Sequence, residues 1–232
     1  SFYAVIPHQV MVYLFGSIFL FSVLSMSIGA LRFWREEAVP SQPGADKEGL
    51  VSITSLRYLD GGGEGCTERS AAPSLARRHL HHASFYGFLL CFASTSVATI
   101  YHYVLDWKAP YDVLSLPVIL GTAGGVLMCI GTAGLLILRL RRVPRLGHPE
   151  QYPMDVGFIS LLFLLAFPGL LLLLLRDTDF MRPSLLLHLA TVMAFFLLMP
   201  YSKFVHGVYR GLAVIKHHRE QKSPNPLGLA EG

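Results

Sequence analysis

Apolar residues run almost unbroken through five stretches of this chain, at about Val10 to Leu31, Ala83 to Leu105, Val113 to Leu138, Val156 to Leu175 and Leu185 to Val205. A helix needs roughly 20 such residues to cross a hydrocarbon core about 30 Å thick. The pattern therefore predicts an all-α membrane protein, a single transmembrane domain over residues 1–232 built as a five-transmembrane-helix bundle. One long polar stretch interrupts it, at about Arg35 to Leu80. The prolines and glycines of its "PSQPG" and "DGGGEG" argue against regular structure, so it reads as an extramembrane loop that a partner could order.

Composition agrees with this division. Of 232 residues 53% are hydrophobic and 15% charged, and the mean hydropathy is +0.49, which excludes an ordinary soluble domain. A net charge of +4 and a pI near 9.0 do not indicate nucleic acid, because the cations stand at the ends of apolar runs and form no separate patch. Lys108, Arg176 and Arg182 mark one side of the membrane; the other sixteen Lys and Arg fall on the opposite side, which the positive-inside rule makes cytoplasmic. Ser1 then begins outside. The chain enters a membrane segment almost at once, without an initiator Met or a signal-peptide layout, so it is expected to be a fragment of a longer protein.

Cys66, Cys91 and Cys129 lack the paired spacing of a zinc or iron–sulfur site. In the third span Gly121 and Gly125 have GxxxG spacing and read as a place where another helix approaches closely.

Histidines are the informative residues. His188 and His206 lie eighteen residues apart in the fifth apolar stretch. On one continuous helix that is five whole turns and roughly 27 Å, so both would face one way, one near each membrane surface. The second span carries His81 and His82 at its cytoplasmic start and His102 near its other end. It runs antiparallel to the fifth, which makes His81 or His82 level with His206, and His102 level with His188. Two facing imidazoles at one depth can take both axial positions of a haem iron, and two such pairs would hold two haems b, one near each leaflet. Phase favours His81 over His82, since His81 stands about 60° from His102 around the helix and His82 about 160°. Pro200 could kink the fifth helix and alter its phase. Lys203 and Arg78, three residues before His206 and His81, are cations placed for haem propionates, a quinone headgroup or lipid phosphates. His8, His148, His217 and His218 read as surface residues, with His79 as a reserve candidate.

The segments "HHASFYGFLLCFAS", "TIYHYVLDWKAPY", "SLPVILGTAGG" and "MPYSKFVHGVYR" resemble the membrane part of the tricarballylate (citrate) utilisation protein B family over nearly the whole chain. More distantly, the five-helix plan and Pro200, Lys203 and His206 resemble the cytochrome b gamma subunit of respiratory nitrate reductase, although in that subunit the second-helix histidines lie much closer together. The first resemblance implies a bacterial cytoplasmic (inner) membrane protein whose N-terminal domain, missing here, carries [4Fe-4S] clusters. It further implies a flavoprotein dehydrogenase as partner and membrane quinone as acceptor, with haem held by His81 or His82, His102, His188 and His206. A non-redox anchor or a tricarboxylate transporter is the alternative. The centres of the spans hold no Asp or Glu, which favours electron carriage over proton-coupled transport.

The charge distribution is testable by cysteine labelling. Single cysteines in the 35–80 loop and beside Lys108 should be modified from opposite sides of a sealed vesicle; equal labelling from one side would overturn the five-span topology.

Overall fold

A computed structural model describes residues 5–36, 39–59, 75–141 and 149–223. All regular structure among them is helical. The long helices are α1 (His8–Glu36), α2 (Ala45–Thr54), α3 (Ala76–Tyr103), α4 (Leu116–Arg141), α5 (Tyr152–Leu175), α6 (Met181–Leu198) and α7 (Phe204–Gln221). Five are long and apolar enough to cross a membrane: α1, α3, α4, α5, and α6 extended by a 3₁₀ turn to Tyr201. Each covers the corresponding expected span with its ends shifted by a few residues. Charge marks the boundaries, with Arg35 closing α1, Arg139 and Arg141 closing α4, and Asp155 in the first turn of α5, each of the sign that suits its helix end.

The membrane helices pack in the order α3, α4, α5, α6, α1. The tightest seam joins α3 to α4. A side chain at Gly124 would stand 2.7 Å from the Gly87 carbonyl and 2.8 Å from the Cys91 amide, and one at Gly131 would strike Ser84 and the Leu80 carbonyl. Lipid offers helices no hydrophobic drive to associate, so backbone contact through small residues supplies the attraction. Ser94 adds a hydrogen bond to the Pro117 carbonyl at 2.6 Å. The expected glycine packing is thus present with its partners divided: Gly121 faces Ser94 on α3, Gly125 faces Leu170 on α5, and Gly124 and Gly131 meet the α3 backbone most closely.

Two expectations are corrected. The polar loop is not without regular structure, because Ala45–Thr54 forms α2, followed by a 3₁₀ turn at Arg57–Leu59. Asp46 and Glu48 suit the helix N-terminus, and α2 docks on α7, which supplies the ordering expected of a partner. "DGGGEG", Cys66 and His148 lie outside the described residues. The fifth apolar stretch is not one helix: α6 ends at Leu198, and after Ser202, in extended conformation, α7 starts anew at Phe204.

Gly131→Leu should destabilise the protein in detergent by at least the roughly 1–3 kcal/mol typical of overpacking, read as a lower unfolding temperature. Gly157→Ala, where nothing lies within 4 Å, should leave it unchanged or slightly raised. Equal melting of the two variants would refute the seam.

Candidate functional site

The break between α6 and α7 decides where His206 stands. Pro200 has no amide hydrogen, so the Phe196 carbonyl four residues earlier lacks its helical donor. The Met199 amide and the hydroxyl of Ser22, a fully buried residue of α1, donate to that carbonyl instead. Released from α6, the chain places Lys203 at the N-cap of α7 and His206 one turn on. His188 and His206 therefore do not share one helical face.

The Nδ1–H of His206 donates to the Lys203 carbonyl. A carbonyl only accepts, so this contact puts the proton on Nδ1 and leaves the Nε2 lone pair open. Metal-ligating histidines are commonly oriented in this way. His206 is itself exposed to solvent or lipid. His81, on α3, has His206 and Arg210 within electrostatic range. Its Nδ1 is buried without a hydrogen-bond partner. The adjacent His82 donates from Nε2 to the Ser55 carbonyl at 3.1 Å. Contact geometry also separates the two neighbours: the His82 ring is held by backbone, and the buried His81 Nδ1 has no hydrogen-bond partner.

A turn after α2 covers this end of the bundle. Thr54 accepts the Tyr86 hydroxyl at 2.7 Å, Ser55 accepts Arg78 and His82, and Tyr58 accepts Arg210 at 3.3 Å, all through main-chain carbonyls. The turn therefore ties α3 to α7 beside the histidines. Its position depends on the docking of α2. Gly49 lies against Ile215, Ser52 bonds His218 at 3.0 Å, and Arg219 grips Asp46 through two nitrogens at 2.6 and 2.8 Å while its guanidinium covers Trp34. Lys222 adds a 2.6 Å bond to Glu48. His217 and His218, expected as surface residues, belong to this joint, and both contact Tyr58.

The expected cations are placed differently. Arg78 reaches the Ser55 carbonyl. Lys203 contacts Asp155 and the Gln151 side chain, and Asp155 also binds Arg139 at 2.8 Å. Sequence reading missed Asp155, since an acidic residue in the first turn of a helix has a sufficient reason to be there.

Toward the other membrane surface the histidines do not meet as expected. Phe88 and Phe195 touch, with ring centroids 5.7 Å apart. Seven residues outward from each stand Thr95 and His188, and His102 lies seven further, about 10 Å beyond. His102 and His188 are therefore not level. His102 instead lies 4.5 Å from the ring of His8, whose Nε2 is 3.4 Å from the Tyr103 hydroxyl. His188 leans on α5: a Cβ on Gly169 would come 3.0 Å from its Cε1, the Leu165 backbone is beside it, and its Nδ1 has no hydrogen-bond partner. Gly169 makes room for this seat, because it leaves α5 without a Cβ where the ring lies. The dipeptide Pro168–Gly169 inside an apolar span was the available sequence signal.

A family profile described as Citrate utilization protein B matches residues 1–227. The curated Citrate utilization protein B of Escherichia coli is 46% identical over 232 residues, covering 99% of this chain and 61% of that protein. The chain thus spans about three fifths of the length of this curated relative. No solved structure matches.

The α2 joint has a definite pH dependence. Hydrogen bonding to Arg219 holds the Asp46 carboxyl below its ordinary 3.8, and hydrogen bonding to Lys222 holds Glu48 below 4.5. A lowered folded-state value stabilises docking above the ordinary value and loses that contribution as pH falls through the folded value. Trp34 fluorescence in a Trp107→Phe background should therefore change below about pH 4. The change should be smaller in Asp46→Asn, which leaves only the Glu48–Lys222 contribution; an identical profile there would reject the joint.

Proposed function

Because the chain belongs to the citrate utilization protein B family, we propose that it is the membrane electron-transfer part of a system for using citrate or the related tricarballylate. Electrons enter from a flavoprotein dehydrogenase, through iron–sulfur clusters outside these 232 residues, and leave to membrane quinone by way of b-type haem. Substrate specificity then belongs to the flavoprotein. Two observations support the reading: His206 has its Nδ1–H engaged and its Nε2 open, and His81, within electrostatic range of it, has a buried Nδ1 without a partner.

The donor set fits haem at this end of the bundle. A buried polar atom left unpaired costs about 1–3 kcal/mol, which a bound group would relieve. His81 and His206 would be the axial ligands, approached from two helices that α2 and its turn hold in register. When bound, haem supplies reversible one-electron exchange at iron. The protein's own work is positional. The Lys203 carbonyl orients His206, the Phe88, Phe195 and Phe204 rings fill the space between α3 and the α6–α7 junction, and the Thr54–Tyr58 turn covers the adjoining surface. A second haem on His102 and His188 has weaker support, because those residues differ in depth by about 10 Å.

A tricarboxylate carrier would also use a broken helix. Here the break lies at the end of the span where the Lys and Arg collect, not at mid-membrane. That position favours the redox reading over transport.

His206→Ala and His81→Ala should each abolish the same component of a redox titration and lower the pyridine-haemochrome ratio by one haem per chain. His82→Ala and His102→Ala should retain that component. Unchanged haem content in His206→Ala would remove the assignment.

A further inference from the structure

We infer that Asp155 is a positioning residue for His206, acting through Lys203; the inference rests on the haem reading above. Asp155 is the second member of a chain of four, Arg139, Asp155, Lys203 and His206. Arg139 of α4, its side chain only 9% exposed, binds one Asp155 oxygen at 2.8 Å. Lys203 binds the other oxygen, and Gln151 accepts a further Lys203 hydrogen bond at 3.2 Å. The Lys203 carbonyl receives both the Nδ1–H of His206 and its backbone amide, the latter at 3.2 Å. Lys203 stands where the chain has just left α6, with only a 3₁₀ turn and the extended Ser202 before it. No α-helical hydrogen bonding fixes this carbonyl from the preceding side. The ion cluster does so, fastening the junction to α4 and α5, and hence the junction fixes the rotation of the imidazole.

The arrangement makes two distinguishable forecasts. A carbonyl on Nδ1–H raises the basicity of a ligating imidazole and thereby favours ferric iron. Loosening the tether at either end should weaken that hydrogen bond and raise the midpoint potential. Simple electrostatics says otherwise: removing the Asp155 charge should raise the potential and removing the Lys203 charge should lower it.

The test is redox titration of the purified full-length protein carrying Asp155→Asn, Asp155→Glu or Lys203→Met, following the component that His206→Ala abolishes. Positioning predicts that Asp155→Asn and Lys203→Met both raise the midpoint, by the equivalent of a tenfold change in relative stability, or about 59 mV for one electron. It also predicts partial recovery in Asp155→Glu. Lys203→Met keeps the Asp155–Arg139 pair and so remains informative if Asp155→Asn fails to fold. Shifts of opposite sign, or none, would overturn the inference. Wild-type protein without haem would instead overturn the reading on which it rests.

Discussion

One hydrogen bond at a helix end governs the arrangement of this molecule. Proline at position 200 deprives the Phe196 carbonyl of its donor inside a medium that offers no water, where an unsatisfied carbonyl costs several kcal/mol. The Met199 amide and the hydroxyl of Ser22, buried on α1, meet that carbonyl, and α6 can end where it does. Everything at the basic end follows from that ending. The chain changes direction, α7 begins with His206 in its first turn, and its other face becomes available to α2. A serine in an apolar helix would otherwise be a small liability. Here it joins the first and last membrane helices at the point where the last one breaks.

The bundle is asymmetric about α3. On one side α3 meets α4 backbone to backbone through Gly87, Gly124 and Gly131. On the other it reaches α6 and α7 through phenylalanine rings, Phe88 with Phe195 and Phe204. Close packing holds α3 firmly, while the aromatic contacts set His81 and His188 on either side of them. His81 and His188 both retain a buried ring nitrogen without a partner. Such atoms are uncommon in folded chains and call for an explanation by a bound group or a water. The proposed haem would supply one for His81.

Much of this was legible in the chain. Five apolar runs gave five membrane helices because hydrocarbon thickness and helix rise leave little choice of length. Histidine depth was not legible at the outer end, and at the basic end the 3₁₀ junction takes His206 off the helix that carries His188. Equal depth for His102 and His188 assumed helices of matched ends, whereas α3 runs to Tyr103 and His188 sits seven residues inside α6. Helix α2 escaped notice because flanking glycines and prolines outweighed a ten-residue amphipathic run, which tertiary docking on α7 stabilises. The Asp155 cluster could not be read at all, since its members come from three helices and no local spacing links them.

The central claim is that His81 and His206 bind opposite faces of one iron. Pulsed electron paramagnetic resonance of the oxidised full-length protein, labelled with ¹⁵N-histidine, addresses it directly. The account predicts a low-spin ferric signal coupled to two axial histidine nitrogens, one lost with each of these residues. A low-spin signal that persists with both histidines replaced, or the absence of any ferric haem signal from fully active protein, would contradict it.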